Sequence, residues 1–229
     1  MSLLRFAEPH VYTSTDDSLV LWISGRGRGV GSKVFDLSKK GNHGAIHGAC
    51  WKNTQLGHSA LSFDGVDDYV EVPDSESLNI TDEITIEAWV KVNLLGGSLA
   101  WQGIVGKTNF GSSPSNYHFA VVDDGHVGVG FYNSGWKELK SNTIIETGKW
   151  YHLAGVIVSG SKLQIFINGV LDNETTTTYE MLSNDYPLYL GKHGEYFNGT
   201  IGEVRIYNRA LSAEEIRELY NKTKHLYGY

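Results

Sequence analysis

Two groups of residues in this chain have types and spacing that could do chemistry or hold a ligand. The first is a carboxylate pair. Glu83 and Glu87 lie four apart in Glu83-Ile84-Thr85-Ile86-Glu87, so on a strand both side chains point to one face, with Trp89 next along it. Glycoside hydrolysis needs two carboxyls flanking the scissile bond, one as acid and one as nucleophile or base. By strand rise these two are ~13 Å apart, so they would have to lean toward each other to act together. The second group is a set of rings and amides: Trp101, Trp136, Tyr132, His118, Asn109 and Asn133 fall in or beside predicted loops. Sugar binding uses an aromatic face with hydrogen-bonding side chains beside it and requires no acid–base pair.

Other short patterns carry less chemistry. His43 and His47 are four apart, but on a turn and a strand that spacing fixes no metal geometry. The run Gly25-Arg26-Gly27-Arg28-Gly29-Val30-Gly31 lacks Gly-Lys-Ser/Thr and no helical pattern follows it, so it reads as a flexible loop with both arginines in solvent. Gly-x-Ser-x-Gly, His-Glu-x-x-His and Cys-x-x-Cys do not occur in the sequence, which removes the commonest hydrolase, protease and zinc motifs.

The elements that must position these residues are mostly strands. Leu61-Ser62-Phe63 and Tyr69 to Val72 flank an Asp64-Gly65 turn and read as a hairpin. Ile84, Ile86, Ala88 and Val90 then alternate with Thr85, Glu87, Trp89 and Lys91, one face apolar and the other polar. Tyr117 to Val122 and Val127 to Phe131 flank Asp123-Asp124-Gly125, a second hairpin. Trp150 to Val158 is the longest apolar strand, joined through Ser159-Gly160-Ser161 to Leu163 to Ile167, which ends at Asn168-Gly169. One helix is predicted near the C-terminus: Ser212-Ala213-Glu214-Glu215 is a capping box, followed by the apolar stripe Ile216, Leu219 and Tyr220. Many short strands punctuated by Gly, Asn and Asp predict an all-β, two-sheet antiparallel sandwich of jelly-roll type with one short C-terminal helix.

Composition narrows the partners. The 229 residues are 41% hydrophobic and 12% aromatic, enough for one all-β domain with its own core. A net charge of −7 lacks the basic footprint of a nucleic-acid binder. Cys50 is the single cysteine, which rules out an intrachain disulfide and reads as a small packed hydrophobe. Apolar runs fall short of the ~20 residues that span a bilayer, and the first residues carry no export signal.

Several stretches, taken in order, resemble one family: Leu19 to Trp22, Asp36 to Gly44, Ala60 to Val70, Ile84 to Val90, Trp150 to Val156, Ile167 to Gly169 and Ile201 to Ser212. Together they are similar to the LamG-like (laminin G and pentraxin-like) jelly-roll domains of the concanavalin A-like lectin/glucanase superfamily. The resemblance implies a single domain over residues 18–229 behind an N-terminal extension of residues 1–17. It further implies a non-catalytic carbohydrate-binding or adhesion module of a larger extracellular or cell-surface protein, with a glycan as partner and no membrane insertion. Four Asn-x-Ser/Thr sequons, at Asn79, Asn173, Asn198 and Asn221, fit such a surface. Some members hold a structural Ca²⁺, and here Asp64 and Glu203 are the implied ligands; many members carry Asp where this chain has Gly202. The alternative from the same superfamily is a glycoside hydrolase acting on β-glucan-type polysaccharide. Such enzymes carry Glu-x-Asp-x-Glu on one strand, and Glu83 and Glu87 occupy its outer positions with Thr85 in the middle.

Overall fold

The computed structural model describes residues 16–29, 31–54, 56–96, 101–109 and 115–229. Most of the proposed N-terminal extension therefore lies outside the described residues. The described part of that segment is tied down: Asp16 accepts from Ser18 and pairs with Arg209 at 3.1 Å.

Eighteen strands follow in chain order: β1 (Leu19–Ser24), β2 (Lys33–Val34), β3 (Gly44–His47), β4 (Cys50–Asn53), β5 (Ser59–Asp64), β6 (Tyr69–Val72), β7 (Glu83–Val92), β8 (Trp101–Thr108), β9 (Ser115–Val122), β10 (His126–Tyr132), β11 (Trp136–Ile144), β12 (Trp150–Val158), β13 (Lys162–Ile167), β14 (Val170–Thr176), β15 (Leu188–Leu190), β16 (Lys192–His193), β17 (Glu195–Tyr196) and β18 (Asn198–Tyr207). Among the described residues they form two sheets. The first has the order β14-β13-β12-β7-β18-β5-β4, with β1 also on β18; the second runs β11-β10-β9-β8-β15-β6-β3-β2, with the small β16–β17 pair attached at β8. The pairing is antiparallel except for one parallel bridge between β17 and β8. This is the expected two-sheet jelly-roll sandwich, and α1 (Ala213–Thr223) is its one α-helix among the described residues.

Turn chemistry explains most of the connections. Asn168 and Gly169 both have positive φ (52° and 77°) between β13 and β14, as a tight two-residue hairpin turn of the primed type requires. Gly125, at φ 87°, turns β9 into β10, whose residues pair as Val127 with Val121 and Val129 with Phe119.

The Asp64-Gly65 turn behaves differently from its sequence signal. β5 pairs with β4 and β18 in the first sheet, whereas β6 pairs with β3 and β15 in the second. The turn is a corner that crosses between sheets, not a hairpin. Its side chains show why. Asp68 Oδ2 accepts the Asp64 N–H at 2.9 Å, and Asp64 Oδ1 accepts the Val66 N–H at 2.8 Å, so carboxylates take the donors that a hairpin would give to a neighbouring strand.

The core between the sheets takes one face of each strand: Ile84, Ile86, Ala88, Val90 and Val92 from β7 meet Phe119, Val121, Val129 and Phe131 from the second sheet. The opposite face of β7 is also buried, because α1 lies over it. Ile216 of α1 packs with Leu19, Ala154, Val156, Phe166 and Tyr207 in a second apolar cluster. The capping box forms as read, with the Ser212 hydroxyl accepting from Glu215 N–H at 3.2 Å and Glu215 Oε2 accepting from Ser212 N–H at 2.8 Å. Cys50 is exposed, against the expectation of a packed thiol: it sits on edge strand β4, where one side of the strand has no neighbouring strand among the described residues.

Candidate functional site

The outer face of the second sheet gathers the rings. On β9 and β10, Tyr117, Phe119, Val121, Val127, Val129 and Phe131 point into the core. Alternation therefore turns His118, Gly128, Gly130 and Tyr132 outward. The outward glycines leave room for rings to lie directly on the sheet. A Cβ at position 128 would stand 2.3 Å from Trp101 Cζ3, and one at position 106 would stand 2.9 Å from His193 Cβ.

Four of the six predicted ring and amide residues form one connected group. His118 meets Trp101 edge-on at 5.6 Å and Trp136 edge-on at 5.2 Å, and Tyr132 meets Trp136 at 5.4 Å. Trp136 is 45% exposed and is the ring the group presents to solvent. It opens β11, directly after the β10–β11 turn. Asn133 stands beside it in the β10–β11 turn, its amide donating to Glu180 O at 2.9 Å. Asn109 is exposed just beyond the end of β8.

His193 was not foreseen. Its ring stacks on His118 at 4.3 Å with the planes 5° apart, and meets Trp136 at 5.7 Å. It sits on two-residue β16, too short for any periodicity, but the signal that could have found it is on β8. Gly103 and Gly106 interrupt that strand where His193 lies against it, and strand glycines mark close approaches. Burial, followed by the neighbouring His118, holds the His193 imidazole well below its ordinary pKa. Charged groups rim the rings: Glu138 Oε1 is 3.3 Å from His118 Nε2, and the Lys140 ammonium lies 5.4 Å from the centre of the Trp101 ring. Beside Trp136, a cavity of about 420 Å³ is lined by Lys137, Glu138, Leu163 and residues 175–179.

Residues 64–217 match the Laminin_G_3 family, described as belonging to the concanavalin A-like lectin/glucanases superfamily. The chain belongs to this family. No curated protein matches it. Among solved structures, this laminin G-like domain is similar to the binding domain of Paraclostridial Mosquitocidal Protein 1 (TM-score 0.72, 18% identity, 90% of this chain and 52% of that one). It is also similar to domain 4 of AbnA, a GH43 extracellular arabinanase from Geobacillus stearothermophilus, in complex with arabinotriose (TM-score 0.70, 21% identity, 89% and 98%). A third is the receptor binding domain of botulinum neurotoxin C/D mosaic serotype (TM-score 0.72, 16% identity, 90% and 51%). The chain spans about half the length of the two toxin chains.

In this laminin G-like domain Glu83 and Glu87 share a face as expected, but at Glu87 that face is sealed. Glu87 is 2% exposed; one carboxylate oxygen pairs with Arg205 and the other lies 2.6 Å from His152 Nε2. Burial alone would raise its pKa, yet the Arg205 guanidinium and the His152 hydrogen bond hold it at about 2. Glu83 Oε2 accepts the Ala210 N–H, and Thr85, at the middle position, accepts the Leu211 N–H and donates to Arg209 O. Glu83 and Thr85 therefore fasten the segment leading into α1, while Glu87 ties β7 to β18 and β12. The pair is corrected from an acid–nucleophile candidate: Glu83 lines a surface cavity of about 370 Å³ with Asp82 and Ser159, whereas Glu87 is buried in its ion pair, so the two carboxyls do not flank one bond.

Glu203 is corrected as well. It accepts from Trp22 Nε1 at 2.5 Å and from Arg205 at 2.8 Å. Asp64 lies opposite Asn198 at the other end of β18, five residues and ~17 Å away along the strand. The two cannot share an ion. Around Asp64 it is Asp67 and Asp68 that gather, with carboxylate oxygens within 4.8 Å of one another. Asp68 and Asp64 each already accept a backbone N–H, and three carboxylates at this corner fall short of the six to eight oxygens that a hard cation takes. Gly202 has a packing reason: a Cβ there would stand 2.5 Å from the Tyr227 ring. His43 accepts the Asp36 N–H at 3.1 Å while His47 stacks on Tyr69 at 4.5 Å, so each has its own task.

Proposed function

We propose that this laminin G-like domain is a non-catalytic glycan-binding module and that sugar rings dock on the outer face of the second sheet, against Trp136, Tyr132 and Trp101. The observation that carries the reading is the 45% exposed Trp136 ring, held at its edge by buried His118 and flanked by Glu138 and Asn133. A flat apolar ring beside a carboxylate and an amide suits a sugar, whose C–H face packs on the ring while its hydroxyls take the polar groups. The arabinotriose complex of AbnA domain 4 supports a saccharide as ligand class, and the extracellular assignment of that enzyme supports an extracellular or surface setting. Residues 18–229 act as one module, and its partner is a carbohydrate or cell-surface glycan. Isothermal titration against a panel of plant, bacterial and animal glycans tests this. Saturable binding to at least one glycan, lost in Trp136→Ala with the melting temperature unchanged, is expected. A Trp136→Ala protein that binds the same glycan with wild-type affinity contradicts it.

A further inference from the structure

A cavity of about 560 Å³ opens on the outer side of the first sheet, on the opposite face of the sandwich from Trp136. Its place follows from β18 changing neighbours. Residues 198–201 of that strand pair with β5 and residues 203–207 with β1, with an irregularity between Ile201 and Glu203. The sheet parts there, and the segment that ends α1, with Leu226 and Tyr227 beyond it, walls the gap.

Glu87 and Glu203 offer four carboxylate oxygens around Arg205, and three are occupied. Glu87 gives one oxygen to Arg205 and the other to His152, while Glu203 Oε1 accepts from both Trp22 and Arg205. Among the described residues nothing donates to the fourth, Glu203 Oε2. Glu203 is only 7% exposed and lines the cavity, so this acceptor meets the cavity with its capacity unfilled. A carboxylate oxygen so placed is costly to leave without a donor. A charge-assisted bond from an ammonium group suits it best.

The rim has the opposite sign. Arg26 and Lys222 stand exposed along it, and the pairing of Lys222 with Glu218 at 3.1 Å is a surface pair of little strength. Trp22, Leu226 and Tyr227 add apolar wall. A buried acceptor for a cation, a cationic rim and an apolar wall together match one molecule that carries both charges. We propose that this cavity binds a small zwitterion, in chemical class an apolar amino acid. Its ammonium group sits on Glu203 Oε2, its carboxylate turns toward Arg26 and Lys222, and its side chain lies against Trp22 and Leu226. The volume is within the range of ~300–1,000 Å³ that holds small ligands. Because this cavity and the Trp136 platform lie on opposite faces, neither site depends on the other.

Three probes that differ by one charge test it, followed through the Trp22 indole N–H signal in a ¹H–¹⁵N spectrum: L-phenylalanine, phenethylamine, which lacks the carboxylate, and 3-phenylpropionate, which lacks the ammonium. L-Phenylalanine should shift the signal in a saturable way and bind about tenfold or more tightly than either analogue, the scale of one charge-assisted hydrogen bond. Glu203→Gln should erase its advantage over 3-phenylpropionate. Should that variant fold poorly, Arg26→Glu and Lys222→Glu, both at exposed positions, read the other end of the ligand: each should lower the advantage over phenethylamine with the melting temperature unchanged. No saturable shift with L-phenylalanine overturns the proposal. Equal affinity for L-phenylalanine and either analogue overturns it too, as does wild-type affinity in both Arg26→Glu and Lys222→Glu. None of these outcomes bears on glycan binding at Trp136.

Discussion

His118 and His193 stack face to face, 4.3 Å apart and 5° from parallel, although they are 75 positions apart in the chain. Two imidazoles at that separation in a buried site cannot both be charged without strong repulsion. The stack therefore ties the ring platform to the neutral form of His193, which lies well below its ordinary pKa chiefly through burial.

The expected pH dependence follows. His193 has a folded pKa below its unfolded value near ~6.5, so in the window below that value the unfolded chain binds a proton that the folded chain does not. Its share of stability is complete above pH ~6.5 and falls as the pH drops toward the folded value. Melting temperatures followed from pH 7.5 to 5 should decline, and His193→Asn should flatten that decline. Glu138 near His118 and Lys192 beside His193 face the same stack and stay in place in that variant.

Glu87 acts in a lower window. Its carboxylate, held at about 2 by Arg205 and His152 against the effect of burial, contributes stability that is present above its unfolded pKa near ~4.3 and lost as the pH falls toward 2. Glu87→Ala leaves Arg205 and His152 facing a void and should cost about 3–5 kcal/mol in urea unfolding, in line with breaking a buried ion pair. Glycan affinity of whatever remains folded should be unchanged, and no reducing sugar should appear with either protein.

Gly202 makes a prediction about the C-terminal segment. Tyr227 packs against Gly202 and stacks on Trp89 at 4.3 Å, while Trp89 Nε1 donates to Thr223 Oγ1 at 2.8 Å. Gly202→Asp should push Tyr227 off the sheet, change the near-ultraviolet dichroism of Trp89 and destabilise the fold by about 1–3 kcal/mol, as overpacking does.

Gly128 links backbone to platform. Gly128→Val places a side chain where the Trp101 ring lies, on a face that is outside the core between the sheets. Glycan affinity of the folded protein should fall about tenfold or more, which corresponds to ~1.4 kcal/mol, and the unfolding midpoint should fall too, since position 128 is buried beneath the Trp101 ring.

Much of the fold was legible because its signals are local. The alternation of β7, the Asn168-Gly169 and Asp124-Gly125 turns and the Ser212–Glu215 capping box each specify their element within a few residues. The Asp64-Gly65 corner misled because the same turn chemistry serves a hairpin or a change of sheet. The deciding contact, Asp68 to the Asp64 N–H, is a side-chain choice. Glu83 and Glu87 were placed on the correct face, but nothing in their own strand signals that Arg205 and α1, more than a hundred residues away, cover it. The ring platform was half legible: Trp101, Trp136, Tyr132 and His118 stood out by type, whereas His193 is brought to them only by the sheet register and the glycines of β8.

The most direct measurement is a glycan titration followed by the indole N–H signals of the six tryptophans in a ¹H–¹⁵N spectrum. With a bound glycan, the Trp136 and Trp101 signals should shift in a saturable way, while Trp22 and Trp89, whose indoles are hydrogen-bonded on the outer side of the first sheet, stay fixed. Saturable shifts of Trp22 or Trp89 with Trp136 and Trp101 unmoved would contradict a glycan site on this face.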